Sequence, residues 1–502
     1  MTFWTVAILG IYLTLILCIG FYSSRGAGKD AESFFVANRR LTWLQESMAV
    51  FTAIAPAGAL MGTIGLFYRD GGNMLGYLIG YSFLMPLTYW YIGSRLRRLG
   101  RLRGYQTQAV FIRDFYQSNY LRWGVAIVGI GASIPYFMVN PVALGQLLHL
   151  YTGFPYLAGV LLFVVIATMY TLTGGLRAVA NTDIFHGVLL LIFLLGAVAV
   201  LLTHGGGVTR VLDTPKATVA TSGTGLIIFL AWILHRGLGA CVEPDRSFRM
   251  FAVRDESNMR RGVIMSAVMT SFAAFSYYTI GLSVRSFIPN LAKTDTTLAT
   301  GLEVAAVWMV PWFVMNCWGG GMSSFTCGAL SAANIFIKDI FEPWYVSHNK
   351  ISGEKRDRLV IKTSRVFILC LALITVCVGF FPPPFIWSLI NLKDGMILQA
   401  FPMFLFGFLW RGVTRLGVKL GWTCGLTCML MWSFVFQPPF GPRIPMAAVD
   451  ALLLNAIILV VVSLALPEKQ ELKDEREALR RLGSPEAEAE RAATVAAPAM
   501  AD

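Results

Sequence analysis

The chain has 502 residues, of which 56% are hydrophobic and only 14% are charged. Soluble domains carry about 25% charged residues, so this composition excludes a water-soluble globule and indicates a protein embedded in lipid. The formal net charge of +13 does not by itself indicate a nucleic-acid partner, because Lys and Arg also accumulate in the cytoplasmic loops of membrane proteins.

Apolar segments long enough to cross a bilayer recur along almost the whole chain. A bilayer core about 30 Å thick requires roughly 20 apolar residues in a helix. The sequence therefore predicts an all-α polytopic membrane protein with thirteen membrane-spanning helices, at about residues 3–23, 42–67, 73–96, 122–150, 154–173, 183–203, 223–242, 262–287, 302–336, 363–381, 384–410, 418–437 and 445–466.

The basic residues predict the orientation of these helices. If the N-terminus lies outside, most Lys and Arg residues fall in loops on the cytoplasmic side and few fall on the other. The first span is followed by Arg25 and Lys29 rather than by a cleavage site, so it is predicted to remain in the mature protein. We therefore expect an N-terminus outside, a C-terminus in the cytoplasm, and no nucleic-acid partner.

The 8 cysteines and 5 histidines predict neither a disulfide framework nor a metal centre of the zinc type. The cysteines lie in or beside apolar segments without a CxxC pair, and the histidines are scattered. The chain also lacks a clustered set of nucleophile, base and metal ligands, so we do not expect an enzyme.

Two predicted spans carry an interruption at corresponding places. The second span contains residues 55–58 (Ala-Pro-Ala-Gly), and the seventh contains residues 237–239 (Gly-Leu-Gly) followed by Pro244. Paired interruptions of this kind are typical of transporters built from two inverted repeats. A broken helix at mid-bilayer must direct its freed backbone groups towards protein, an ion or a substrate. A plain proline kink at Pro56 is the alternative.

This pattern predicts how the chain divides. The expected units are an extra N-terminal helix with a basic loop at 1–41, a first repeat of five helices at 42–205, a second at 222–410, two additional helices at 411–466, and a cytoplasmic tail at 467–502. The tail begins as a charged, helix-prone stretch and is expected to end in a disordered segment.

Three motifs carry a resemblance to a known family. Residues 170–183 read YTLTGGLRAVANTD, and Gly237, Gly239, Pro244 and Arg249 form a second motif. The third consists of Pro402, Gly407, Trp410, Arg411, Thr414, Gly417 and Gly421. Together, over about residues 5–435, they resemble the solute:sodium symporter family of proline, pantothenate and monocarboxylate permeases and sodium/sugar cotransporters. Asn181 departs from the family pattern, which has Trp there.

The resemblance implies a LeuT-type core of five plus five helices and a sodium site, with no organic cofactor. The positions that match the family's ligands are the carbonyls of Thr52, Ala55 and Gly320, the hydroxyls of Ser323 and Ser324, and the carboxylate of Asp183 as compensating charge. Sodium is a hard cation that prefers such oxygen ligands. Alternatively, the two serines hydrogen-bond to their own helix and Asp183 caps a helix N-terminus.

The residues expected around the substrate lie near the two interruptions. They are Pro56, Ala57, Gly58, Tyr136, Asn140, Arg236, Gly237, Gly239 and Lys393. The apolar character of residues 54–61 makes a sugar a poor substrate, and two cations inside spans are functional candidates. We expect Arg236 to bind a carboxylate. The alternative is that Arg236 pairs with Glu243 or a carbonyl, and Lys393 with Asp394 or another acid.

These observations predict a sodium-coupled symporter of the bacterial cytoplasmic membrane that imports a small organic anion, with a monocarboxylate favoured. Sodium/amino acid symport of the proline type, pantothenate symport, and a transporter-like membrane sensor are the alternatives. Proton coupling through Asp183 also stays open. The lipid bilayer and a small solute are the expected partners.

Overall fold

The computed structural model describes residues 2–25, 30–214, 217–218, 224–380, 386–439 and 443–488. Over these ranges the chain is helical. The α-helices are α1 (Thr2–Ser24), α2 (Ala31–Val36), α3 (Trp43–Ala53), α4 (Ile64–Asp70), α5 (Leu75–Ile79), α6 (Met85–Arg103), α7 (Gln108–Tyr116), α8 (Asn119–Thr152), α9 (Tyr156–His204), α10 (Gly207–Leu212), α11 (Thr224–Val242), α12 (Pro244–Met250), α13 (Glu256–Phe287), α14 (Thr297–Ala305), α15 (Val310–Ile335), α16 (Gly353–Gly379), α17 (Ile386–Leu398), α18 (Phe401–Leu409), α19 (Arg415–Phe434), α20 (Arg443–Ala465) and α21 (Gln470–Leu482). Short 3-10 or π-helical turns occupy Ala37–Arg39, Ala59–Thr63, Gly71–Met74, Gly80–Leu84, Thr294–Thr296, Val307–Met309 and Phe336–Val346.

Helices cover each of the predicted spans. Within the described ranges, eight helices or helix segments are individually long and apolar enough to cross a bilayer, by length and composition. The fifth and sixth spans differ from the prediction in their extent, because two helices meet at Gly175 within α9 and the second begins directly after it, where the sequence suggested a loop up to residue 182. The direction changes at Gly175, whose φ of 56° and ψ of −151° suit glycine alone. A side chain there would also meet the carbonyl oxygen of Phe34 at 2.4 Å.

The first predicted interruption lies where the sequence placed it. α3 ends at Ala53, residues 54–56 leave the helix, and π-helical turns then lead into α4. Pro56 lacks a backbone N–H and disfavours helical geometry in the residue before it, which ends α3. The segment is therefore a true break, and the alternative of a plain kink is wrong.

The second interruption lies further along the chain than predicted. Residues 237–239 are helical within α11, and the break falls at Glu243, where ψ is 128°, directly before Pro244. The proline sets this position for the same reason as Pro56. Gly237 serves close packing instead, because a side chain at this residue would meet Leu84 at 2.6 Å.

The centre of the molecule is α15. All of its residues are buried except Trp312, and it packs against α1, α3, α8, α9, α12 and α16. Glycines allow the neighbouring helices to approach α15 closely, because a side chain at Gly321 would meet Leu144 at 2.6 Å. The break after α3 thereby lies directly against the middle of α15.

The predicted tail helix forms and docks on the protein. α21 buries Arg476 and Leu479, and Arg480 donates hydrogen bonds to the carbonyls of Gly407 and Trp410 at the end of α18. Glu488 pairs with both Arg97 and Arg98 at the end of α6, at 2.8 Å in each case. The predicted disorder of the final residues concerns 489–502, which lie outside the described residues.

Candidate functional site

The break after α3 touches α15 through its backbone. A Cβ placed on Gly320 would lie 2.2 Å from the carbonyl oxygen of Ala55 and 3.2 Å from the Cα of Pro56. No side chain larger than hydrogen fits this contact without a shift of the backbone. The fold thus places the backbone of Gly320 against the carbonyl oxygen of Ala55.

Hydroxyl groups meet across the same contact. Thr52 Oγ1 lies 3.0 Å from Ser323 Oγ and also donates to the carbonyl oxygen of Ala49 at 3.2 Å. The buried hydroxyl of Ser324 has no hydrogen-bond partner among the described residues. The alternative that both serines hydrogen-bond to their own helix is therefore wrong. An oxygen-rich cluster lies between α3 and α15.

Asp183 supplies a buried carboxylate beside this cluster. It lies in α9 with 1% of its side chain exposed, 3.8 Å from Arg249 Nη2. Ser323 is near enough to interact with it electrostatically, yet neither carboxylate oxygen accepts a regular hydrogen bond within the described part of the chain. Because α9 is helical well before this residue, the alternative that Asp183 caps a helix N-terminus is wrong.

Arg249 connects this carboxylate to α15. Its Nε donates to Cys327 Sγ at 3.0 Å, and its side chain is 1% exposed. One buried cation at 3.8 Å partly balances Asp183, so the site retains carboxylate oxygens that are not saturated by hydrogen bonds. Carbonyl, hydroxyl and carboxylate oxygens in a buried setting fit the ligand preference of a hard cation such as Na⁺. We call Thr52, Ala55, Asp183, Gly320, Ser323 and Ser324 the oxygen cluster.

A second feature is a small cavity on the other side of the α3 break. It is a partly open cavity of about 50 Å³ between the break, α5, α11, α12 and α17, which is space for only a few water molecules. The predicted residues Pro56, Arg236, Gly239 and Lys393 line it. Glu243 and Asp394, which the sequence named only as partners of the two cations, also line it. Sequence reasoning missed the other polar residues of the lining, which are Thr63, Tyr77, Tyr81, His235 and Arg246.

The remaining predicted residues do not line this cavity. Ala57 is fully buried, and Gly58 packs beside Ile390 and Val139, which a side chain would meet at 3.0 and 3.4 Å. Gly237 contacts Leu84. Asn140 is fully buried and faces Gly321 of α15 rather than the cavity. The side chain of Tyr136 lies outside the described residues.

Charged groups dominate one wall of the cavity. Arg236 forms a short ion pair with Asp394, and Lys393 forms one with Glu243. Lys393 also lies 3.0 Å from Asp394, and Arg246 lies 3.0 Å from Glu243. Lys393 is therefore paired with acids, as the structural alternative predicted, whereas the partner of Arg236 is Asp394 and not Glu243.

The rings of two aromatic residues hold the Arg236 guanidinium. Its central carbon lies 5.1 Å from the ring centre of Tyr77 and 5.4 Å from that of Trp232. Such contacts favour a desolvated cation by about 1 to 2 kcal/mol. Tyr77 and Trp232 were not identified from the sequence, since neither lies in a recognisable motif.

Comparison with known proteins identifies the family of the chain. The model of the Sodium:solute symporter family matches residues 34–425. A sodium/pantothenate symporter of Haemophilus influenzae is 24% identical over 83% of this chain and 89% of that protein. A sodium/proline symporter of Staphylococcus aureus is 22% identical over 86% of each chain.

Solved structures show the same fold. A substrate-bound, outward-open Na⁺-coupled sialic acid symporter superposes with a TM-score of 0.79 at 15% identity, covering 93% of this chain and 99% of that one. MhsT in complex with L-phenylalanine matches with a TM-score of 0.52 at 14% identity over 85% of this chain and 99% of that chain. The predicted LeuT-type, all-helical membrane fold is therefore confirmed.

Proposed function

The chain belongs to the sodium:solute symporter family, and on this basis we propose that it imports a small monocarboxylate together with Na⁺ by alternating access. Family membership makes it a sodium-coupled solute symporter and a multi-pass membrane protein rather than an enzyme. The choice of substrate, the ion site and the membrane orientation are the parts that we infer.

The net charge of the cavity carries the substrate proposal. Three cations (Arg236, Arg246 and Lys393) and two acids (Glu243 and Asp394) line it. The lining groups therefore carry a net formal charge of +1. A monoanion neutralises it, whereas a zwitterion or a sugar leaves it in place, at the cost of an unbalanced buried charge.

The apolar part of the cavity supports the same class. Ile54, Pro56 and Ile390 form an apolar wall, which suits a short hydrocarbon body. A hydroxyl-rich sugar would lose hydrogen bonds to water here, each costing about 1 to 3 kcal/mol if it is not replaced.

We propose that the oxygen cluster binds the coupling sodium ion. Thr52, Ala55 and Gly320 would contribute carbonyl oxygens, and Ser323 and Ser324 their hydroxyls. Asp183 would offset the ionic charge. The contacts of Thr52 with Ser323 and of Ala55 with Gly320 support this assignment, because they join the broken helix to α15. An ion bound between the broken helix and α15 would stabilise one relative position of these two elements.

We further propose that the protein lies in a bacterial cytoplasmic membrane with its N-terminus outside and C-terminus inside. The tail residue Glu488 contacts Arg97 and Arg98, so the tail and the arginine-rich end of α6 share one membrane face. That face is the one the excess of basic residues assigns to the cytoplasm. Labelling of a cysteine introduced at exposed Glu475 only after permeabilisation would agree with this orientation, and labelling in intact cells would contradict it.

Uptake in proteoliposomes tests the proposed function. We expect an inward Na⁺ gradient to drive accumulation of propionate or lactate, and Arg236→Ala to raise the Michaelis constant at least tenfold while Arg236→Lys restores part of the loss. A proton gradient applied alone should drive none. Uptake of proline or pantothenate instead, or an unchanged Michaelis constant in Arg236→Ala, would refute the substrate class. A lack of Na⁺-driven uptake of any solute would favour the sensor alternative.

A further inference from the structure

The charged residues of the cavity form one alternating chain of contacts. In order it runs Arg236, Asp394, Lys393, Glu243 and Arg246, and we call it the five-charge chain. Cations stand at both ends, and each acid contacts two cations. Exposed side-chain fractions are 13% or less for Arg236, Asp394, Lys393, Glu243 and Arg246. The arrangement therefore behaves as a single buried network, in which moving one charge affects its neighbours.

We propose that Asp394 is an internal substitute for the substrate carboxylate, which occupies Arg236 until substrate displaces it. This inference rests on the proposed function, because it assumes that the substrate is a carboxylate that binds Arg236. It goes further in naming Asp394 as a residue that determines the affinity and selectivity for the substrate. Lys393 would remain paired with Asp394 after the substrate carboxylate has replaced Asp394 at Arg236.

The exchange leaves no acid without a cation. When Asp394 leaves Arg236 it keeps Lys393, whose Nζ lies 3.0 Å from its Oδ1. Lys393 in turn keeps Glu243, which is also held by Arg246 at 3.0 Å. An uncompensated buried charge is strongly destabilising, so this double pairing removes the main obstacle to exchange. A bound monoanion makes the number of positive and negative charges equal.

Asp394 is the partner that moves, since Arg236 is fixed by other contacts. The rings of Tyr77 and Trp232 lie 5.1 and 5.4 Å from the guanidinium carbon. Asp394 belongs to α17 and Arg236 to α11, so the exchange also changes a contact between two helices. Occupancy of Arg236 by a substrate carboxylate is thereby linked to the relative position of α11 and α17.

When an internal group competes for Arg236, the apparent affinity equals the intrinsic affinity multiplied by the fraction of protein in which Arg236 is available. We therefore expect Asp394→Asn to bind propionate about tenfold more tightly than the wild type, if Arg236 is available about one-tenth of the time. The measurement is the thermal stabilisation of purified protein as propionate is titrated in saturating Na⁺. Succinate should gain more affinity than propionate, because the variant cavity carries two uncompensated positive charges.

Glu243→Gln is the matched control for this variant. It adds the same positive charge to the cavity but leaves the contact between Arg236 and Asp394 in place. We expect its gain in propionate affinity to be smaller than that of Asp394→Asn. Equal gains in propionate affinity in the two variants would show that only the net charge of the cavity matters, which would contradict the proposed exchange. No gain in affinity in Asp394→Asn would also contradict it.

A second matched pair keeps the proposal testable if Asp394→Asn does not fold. Lys393→Gln and Arg246→Gln each remove one positive charge, but only the first deprives the displaced Asp394 of its remaining cation. We expect Lys393→Gln to weaken propionate binding more than Arg246→Gln does, and equal losses would contradict the exchange. These outcomes differ from those expected if the proposed function is wrong. In that case the wild-type protein would bind no monocarboxylate, and Arg236→Ala would leave the Michaelis constant for uptake unchanged.

Discussion

Substitution of Gly320 by alanine tests the contact on which the oxygen cluster depends. The new Cβ would lie 2.2 Å from the carbonyl oxygen of Ala55, whereas ordinary contacts begin at 3.4 Å. Since both partners are backbone, α15 and the broken helix must separate by about 1 Å in a densely packed interior. Overpacking of this kind costs about 1 to 3 kcal/mol, and tenfold in affinity corresponds to about 1.4 kcal/mol.

We therefore expect Gly320→Ala to weaken Na⁺ binding between about fivefold and 150-fold, if the strain raises the free energy of the Na⁺-bound state. The assay is the Na⁺-induced rise in melting temperature of the purified protein, which requires no knowledge of the substrate. Gly131→Ala in α8 is the control, because no atom lies within 4 Å of its added Cβ, and its Na⁺ midpoint should stay within about twofold of wild type. A wild-type midpoint in Gly320→Ala would refute the reasoning.

Three further predictions concern single residues. Asp183→Asn should raise the Na⁺ midpoint at least tenfold in the same titration, because the carboxylate charge near the oxygen cluster is lost; an unchanged midpoint would exclude it from the site. Gly175→Ala should lower the melting temperature through a loss of about 2 kcal/mol or more, since its φ of 56° and the 2.4 Å approach to Phe34 tolerate no side chain. Glu488→Gln should accelerate amide exchange in α21 about fivefold, corresponding to about 1 kcal/mol for a partly exposed pair, whereas Glu475→Gln on the exposed face should not.

Local chemistry made the membrane fold and the break after α3 predictable, whereas the oxygen cluster was predicted from the family resemblance. Long apolar segments specify spanning helices wherever they occur, and Pro56 ends α3 by removing a backbone donor, without help from distant residues. The six residues of the oxygen cluster were identified because their positions match the family's ligands, and the structure places the broken helix against α15. Their role as sodium ligands stays a prediction.

Tertiary partners explain what the sequence could not indicate. Residues 237–239 suggested a break, but glycine is equally common where two helices pack closely. The contact of Gly237 with Leu84 shows that this glycine serves close packing, and the sequence alone does not reveal that contact. The N-cap interpretation of Asp183 failed because the helix that contains it begins directly after the non-helical Gly175, so Asp183 lies about two turns inside that helix. The partners of Arg236 and Lys393 come from helices that are distant in sequence, so no local pattern distinguishes a substrate-binding cation from a paired one.

The measurement that tests the central claim most directly is charge movement during Na⁺-driven propionate uptake into proteoliposomes. One Na⁺ carried with one monoanion transfers no net charge, so a tenfold Na⁺ gradient supplies about 1.4 kcal/mol and the membrane potential adds nothing. We predict uptake that depends on Na⁺ and is unaffected when the interior is made negative. Uptake that increases with an inside-negative potential would contradict the account, because each net charge moved through 100 mV contributes about 2.3 kcal/mol.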